Sequence, residues 1–497
     1  MRITSARPSR RVVVAATVAA LAFGACTGEP DESQDLARSV ESAGTVVDGT
    51  DADTVATTDA PSRERYTYPE PPVAPDAAEA NPEAEDAINQ INRGIKFGSL
   101  DPAAMDDLFN SGDARHAWFV SDLLRIFSGS DSERLVAGFE RLTGVSIQTD
   151  PGLQVSPWSS VSNHLIAWDT PDYVGYREDK GALFTPLEDS WIPFFDDADA
   201  DIDWRHLSWG GVFVDDRPLG DPNGCSGGCI PGLDDPATTS AAGGDWYLDE
   251  RTVFGITVGA ESLAIPLNIA EIHEMFNLTL GGRRLGIPYC TLCGSAQAYF
   301  TDRADGSPIE GADEVPVMRT SGLLNRSNKV MYDLLTSSVF DTFTGAAVSG
   351  SLQDADVRLL QTTVVRSTWA EWKRENPGTR IIAQDGGINR SYDLDPLGGR
   401  DDDGPIFPIG NPDDRLGVQE FVVGVILEDG ATLAFPSEDA TAAFNAGESV
   451  ELKGIELSES GDGLVAVDIA SGNPVAAHEA FWFAWTQFHP DTLLWER

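Results

Sequence analysis

The spacing of apolar residues changes character several times along this chain. Residues 12–23 form a nearly continuous apolar run, too short for a permanent membrane span, and Arg2, Arg7, Arg10 and Arg11 precede it. From Thr27 to about Glu85 no apolar period is sustained. Between Ala84 and Ile147 the spacing becomes helical: Ile88, Ile91 and Ile95, then Leu123, Leu124 and Phe127, then Leu135, Phe139 and Leu142. Turn signals at Asp101-Pro102, Ser111-Gly112-Asp113 and 128–131 separate these groups. The pattern predicts three or four short helices stacked as hairpins over residues 86–150, similar to one or two units of an α-solenoid.

From Pro151 onward tryptophan, glycine, proline and β-branched residues dominate, which predicts strands joined by structured loops over 151–497. Residues 253–258 and 262–266 flank Gly259-Ala260 as a hairpin. A short helix follows, with Ile269, Ile272 and Phe276 at positions i, i+3 and i+7 of a buried face and His273 at i+4. Strands lead into Cys290 and out of Cys293. Residues 329–333 and 339–343 read as strands, and Asp429-Gly430 joins 421–427 to 431–435 as a second hairpin. Phe481, Trp485 and Phe488 make an aromatic stripe on a last helix, with His489 on that face before Pro490 stops it. The expected fold class is α+β: a large strand-rich domain with short helices, preceded by a small helical hairpin segment and a disordered acidic tether.

At 497 residues with 41% hydrophobic positions, the chain can bury a large main domain and a smaller one. Its net charge of −46 speaks against a nucleic-acid partner, because phosphate contacts need basic patches. The basic start and apolar run have the layout of a signal peptide over residues 1–25. Leu21-Ala22-Phe23-Gly24-Ala25-Cys26 resembles the bacterial lipoprotein signal, in which the cysteine is acylated and becomes the mature N-terminus. Ser9-Arg10-Arg11 also resembles a twin-arginine export signal. These features place the protein outside the cell, held at the outer face of the membrane by lipid on Cys26. Residues 26–85, rich in Asp, Glu, Thr, Ala, Ser and Pro, then form the tether, since they cannot bury enough surface to offset ordering entropy.

Candidate chemistry starts at Cys290-Thr291-Leu292-Cys293, two of five cysteines, followed by Gly294, which permits the positive φ of a tight turn. A soft-metal site needs thiolates with imidazole, so Cys290, Cys293, His273 and His489, with His478 as another possible fourth ligand, are candidate ligands for copper or zinc. The same thiols could instead form a structural disulfide or exchange electrons, the latter favoured by a lowered thiol pKa. A third reading is an envelope module that binds a protein or small ligand, with cysteines only as staples. Cys225 and Cys229 lie in a Gly/Pro-rich loop, where a local disulfide is the default outside the cytosol and a metal pair the alternative. Asp197, Asp199, Asp201 and Asp203 alternate like the start of a calcium loop but lack its glycine and glutamate. Glu274 beside His273 is a candidate proton carrier, against a simple surface carboxylate. No serine nucleophile elbow, phosphate loop or dinucleotide fingerprint is present.

Trp209-Gly210-Gly211-Val212, His273-Glu274, Tyr289 to Cys293, Asn328 to Asp333, Thr368-Trp369, Phe483-Ala484-Trp485 and Phe488 to Thr492 together resemble the exported prokaryotic domain of unknown function numbered 3179. The resemblance runs over about residues 191–495. Its usual turn carries proline after the first cysteine, where this chain has Thr291. It implies a domain and assigns no reaction.

Overall fold

The computed structural model describes residues 66–76, 79–147, 156–225, 227–398 and 404–497. The signal peptide, Cys26 and most of the expected tether lie outside them. Among the described residues no helix is long and apolar enough to cross a membrane.

Seven α-helices come before the first strand of the described chain: Pro82–Ile95, Pro102–Asn110, Ala117–Ile126, Ser130–Thr143, Pro157–Ala167, Tyr176–Phe184 and Ile192–Asp196. Proline in the first turn starts three of them after side-chain caps. Asn81 accepts from the Ala84 amide, Asp101 from those of Ala103 and Ala104, and Ser156 and Ser159 form a reciprocal capping box. Helices therefore continue past Pro151 as far as Asp196, and the first strand begins only at Leu207. The tryptophans that suggested strands there, Trp158 and Trp191, are helical core residues instead, because a buried indole suits either element.

The described end of the expected tether is also docked. Trp168 Nε1 donates to the Pro69 carbonyl at 2.7 Å, and the Tyr66 hydroxyl lies 3.2 Å from His164 Nε2. Buried Arg115 donates to the carbonyls of Asp76 and Glu79 at 2.6 and 2.8 Å. Specific polar contacts thus order a stretch whose composition alone offers no core.

The strands form five sheets of four to six strands in a propeller-like arrangement. Two of the sheets are copies of one plan. In the upstream copy the hairpin Thr252–Val258 and Glu261–Pro266 runs into the helix Leu267–His273. The strand Val365–Thr368 then pairs antiparallel with Thr252–Val258, continues as the helix Trp369–Glu375, and Arg380–Ile382 returns parallel to the second hairpin strand. In the downstream copy Phe421–Ile426 and Thr432–Pro436 run into the helix Ser437–Asn445. Ala477–Phe481 pairs antiparallel with Phe421–Ile426, continues as Trp482–Phe488, and Leu493–Leu494 returns parallel to Thr432–Pro436.

Each copy closes on the same contact. The second tryptophan of its helix, Trp372 or Trp485, lies on a strand glycine, Gly255 or Gly424, where a Cβ would overlap the indole. The indole nitrogen then donates at 3.0 Å to a threonine seven residues later, Thr379 or Thr492. The copies differ in what is inserted between helix and returning strand. Upstream the insertion carries the cysteine turn and most strands of two further sheets, and downstream it is a small sheet spanning residues 451–475.

The helix before the cysteine turn is shorter than expected. It stops at His273, and Phe276 lies in the strand Met275–Leu280, because Glu274 adopts a left-handed conformation with φ of 49°. The helical layer packs on the sheet containing Asn328–Asp333, with Trp209, Leu323, Leu324, Val330 and Phe407 in one core with it.

Gly255→Ala and Gly424→Ala should each destabilise the protein by about 1–3 kcal/mol through overpacking. Gly378→Ala, where an added Cβ meets nothing within 4 Å, should have little effect. Urea titrations followed by tryptophan fluorescence compare the three.

Candidate functional site

The strand Arg283–Cys290 ends on Cys290, a 3-10 turn takes up Thr291–Cys293, and Gly294 reverses the chain at φ 59°. Ser295–Ala296 then pairs back on Tyr289 and Cys290. Glycine is required at the reversal because φ is positive and a Cβ would come within 2.9 Å of the Phe421 ring.

Neither Cys290 nor Cys293 is in a disulfide, and both are buried. Their surroundings differ. Cys290 lines a small cavity between the helical layer and the sheets, and Cys293 does not. Cys293 lies behind, its sulfur 3.3 Å from the Ser327 carbonyl. Ser327 is in turn fixed by Gln487, whose Oε1 accepts from the Ser327 hydroxyl at 2.6 Å and amide at 3.2 Å.

Beside Cys290 stands a buried charge pair. The left-handed turn at Glu274 directs its carboxylate to the Thr291 hydroxyl, which donates at 2.6 Å. Lys329 Nζ, from the strand Asn328–Asp333, lies 3.5 Å from the other carboxylate oxygen and donates to the Glu274 carbonyl. Glu274, Thr291 and Lys329 all line the cavity with Cys290, and the rest of its wall is largely apolar.

Burial alone would raise the Cys290 thiol. The Cys293 thiol hydrogen-bonds to it and Lys329 adds positive charge, and together they outweigh burial and the opposing charge of Glu274, so Cys290 sits below its ordinary value. Cys293 is pushed well up, first by burial and then by its bond to Cys290. Lys329 is pushed down by burial, against the pull of Glu274 and Cys290. One proton of the dithiol is therefore held loosely and the other tightly.

The expected histidine ligands are not brought to these sulfurs. His273 uses both ring nitrogens elsewhere, at 2.7 Å from the Pro231 carbonyl and 2.7 Å from the Tyr392 hydroxyl. His489 packs on Trp485, ring centroids 4.3 Å apart, and His478 faces Gln361. Cys225 and Cys229 lie at disulfide distance, with Cα atoms 5.5 Å apart. With Asp215 they are the one cluster of at least three such donors found among the described residues. Asp215 is already bound to Arg217 at 2.6 Å and lies 3.6 Å from Arg319, so its charge is committed. In the aspartate run Asp197 accepts from Ser349 and Gly350, and Asp203 pairs with Arg205, which spends two of the four on local structure.

Sequence reasoning ranked Glu274 below a surface carboxylate and gave Lys329 no role. The readable signal was Lys329 itself, an ammonium between Asn328 and Val330 in a strand buried on both faces.

Residues 227–467 match the family described as "Protein of unknown function (DUF3179)". That segment is a DUF3179 domain. No curated protein and no solved structure matches the chain. Glu274, Cys290, Thr291, Cys293 and Lys329 all fall within the DUF3179 segment, whereas Gln487 and His489 follow it.

Two measurements test the electrostatics of the DUF3179 site. In alkylation rate against pH, Lys329→Met should move the Cys290 profile to higher pH and Glu274→Gln to lower pH. Shifts of the same sign would refute the arrangement. Separately, burial lowers His273 to about 4, His478 to about 3 and His489 to about 4. The unfolded chain binds protons at these histidines near 6.5 and the folded chain does not, so their stability is complete above that pH and is lost as pH falls toward 4. Each contributes a slope of about 1.4 kcal/mol per pH unit in that window. Urea titrations between pH 7.5 and 4.5 should show a shallower slope for His273→Gln.

Proposed function

We propose that this DUF3179 domain is a thiol–disulfide oxidoreductase in which Cys290 attacks and Cys293 resolves. One observation carries the reading: of two adjacent unpaired thiols, Cys290 alone lines the cavity, beside the Lys329–Glu274 pair, and Cys293 stands behind it. An attacking thiol must be reachable and ionise readily, and a resolving thiol must be close and hold its proton until needed.

The chemistry balances without another reactant. The Cys290 thiolate attacks one sulfur of a substrate disulfide, that S–S bond breaks, and the first substrate thiolate leaves with the Cys290 proton. Cys293 then attacks Cys290 Sγ and releases the second substrate thiol with its own proton. Two electrons pass from the protein dithiol to the substrate, and the Cys290–Cys293 disulfide is the product on the protein. Lys329 offsets the cost of a buried thiolate, and Glu274 holds Lys329 in place.

Copper or zinc on Cys290, Cys293, His273 and His489 is the weaker reading, because His273 spends both ring nitrogens on Pro231 and Tyr392 and no histidine clusters with the two sulfurs among the described residues. The export signal supports a position at the outer face of the cell membrane, anchored by lipid on Cys26, with a small thiol or disulfide or an envelope protein as partner.

Equilibration of the purified protein with glutathione buffers, read by alkylation and mass, gives the potential of the Cys290–Cys293 couple. The expected value lies between about −270 and −120 mV, the span of exchanging dithiols. A value below about −300 mV would mark a structural disulfide and overturn the proposal.

A further inference from the structure

The cavity beside Cys290 has a volume of about 40 Å³, room for about two or three waters. Few of its lining groups are polar, and those nearest the thiol are bound to one another. Thr291, next to Cys290 in the chain, donates to Glu274 at 2.6 Å, and Lys329 Nζ lies 3.5 Å from the second carboxylate oxygen. Thr320 and Ser321 also line the cavity but spend their hydroxyl protons on the carbonyls of Ile230 and Val330, at 2.8 and 2.5 Å. The other side chains of the wall, among them Val212, Leu324 and Phe407, are apolar. Cys290 is only 4% exposed and Cys293 is fully buried. An oxidant that reaches this dithiol with the walls as they stand must therefore be very small.

The same limit applies to whatever becomes attached to Cys290. Exchange with an organic disulfide leaves half of the substrate on the sulfur until Cys293 displaces it, and a carbon skeleton of that size needs the wall to move. Oxidation by a hydroperoxide leaves a single oxygen, as a sulfenic acid that condenses with a neighbouring thiol. One oxygen fits. The polar groups match a hydroperoxide as well. The Lys329 ammonium is a proton donor for a departing oxygen, and the oxygens of Glu274 and Thr291 are acceptors for the O–H groups of a peroxide. Cys293, whose thiol hydrogen-bonds to Cys290, stands ready to condense.

We propose that the cavity admits a small hydroperoxide, hydrogen peroxide above all, which oxidises Cys290 to a sulfenic acid that Cys293 resolves. The Cys290 thiolate attacks one peroxide oxygen and the O–O bond breaks. The other oxygen leaves as water, taking a proton from Lys329 that the proton shed by Cys290 replaces. Cys293 then attacks Cys290 Sγ, and the sulfenic oxygen leaves as a second water with the Cys293 proton. Two electrons pass from the dithiol to the peroxide, which is reduced to two waters. In this sequence, which rests on the reading that Cys290 attacks and Cys293 resolves, the peroxide supplies oxidising equivalents, and thiol exchange with a substrate dithiol passes them on and returns the protein to its reduced form.

The test mixes the reduced full chain with hydrogen peroxide, folded and in concentrated urea at the same pH, and follows the Cys290–Cys293 disulfide by alkylation and mass. The folded chain should react about 100-fold or more faster, the scale of one positioned proton donor. Cumene hydroperoxide, too bulky for the cavity, should lose most of that advantage. In Cys293→Ser, dimedone should capture a sulfenic acid on Cys290. A folded rate no faster than the unfolded one, or an equal gain for both peroxides, overturns the proposal, and neither comparison needs a variant to fold. The potential from glutathione buffers separates this from the exchange reading. A potential in the range of exchanging dithiols with no folded advantage toward peroxide keeps the exchange and removes the peroxide. A folded advantage toward peroxide with a potential as low as a structural disulfide's does the reverse.

Discussion

An indole lying on a strand glycine is the contact from which both copies of the repeated sheet are built. A glycine in a strand costs about 0.5–1 kcal/mol in backbone entropy, and a buried tryptophan recovers more than that through area alone. Trp372 on Gly255 and Trp485 on Gly424 therefore fix how closely each returning helix approaches its hairpin. The bonds from these indoles to Thr379 and Thr492 leave no orphan donor and set where the chain re-enters the sheet. Strand pairing, helix position and the parallel return all follow from one complementarity of shape used twice.

Duplication of the frame did not duplicate the chemistry. The upstream helix ends in left-handed Glu274, whereas its downstream counterpart ends in Ala446 with ordinary helical geometry. A non-glycine residue in the left-handed region costs about 1–2 kcal/mol, so something must hold it there. The Ala270 carbonyl accepts from the Glu274 amide, Thr291 binds its carboxylate, and Lys329 meets both its carboxylate and its carbonyl. Those contacts come from the cysteine turn and the neighbouring sheet, both parts of the upstream insertion. The strained residue and the site are thus the same structure, seen from the backbone and from the side chains.

Much of this was legible in the amino-acid order. The two hairpins, the turn with Gly294 at positive φ and the closing aromatic helix follow from turn residues and alternation, which are local properties. Glu274 was not legible, because helical spacing from Ile269 to Phe276 suggested an unbroken helix, and neighbouring residues of a helix face different ways. A left-handed stop without glycine has no sequence signature. His273 was a plausible sulfur partner until the fold gave both its nitrogens to Pro231 and Tyr392, elements 42 and 119 residues away. The repeat is a different case. Trp369, Trp372 and Thr379 have the spacing of Trp482, Trp485 and Thr492, and each set follows a hairpin. The insertions, which differ in length, hide that correspondence from any reading that looks for a fixed period.

Buried ion pairs are poor stabilisers, since desolvation consumes most of their Coulombic gain, and an apolar pair of equal volume often serves as well. The Lys329–Glu274 pair is therefore hard to explain as a support for the fold. It makes sense as the electrostatics of the cavity, with an ammonium beside the thiol. The chain carries a net charge of −46, which at long range repels anions. In physiological salt that repulsion is screened beyond about 8 Å, whereas charges inside a partly desolvated cavity are screened far less. Beside the buried thiol the local field is therefore set by Lys329 and Glu274 rather than by the acidic exterior.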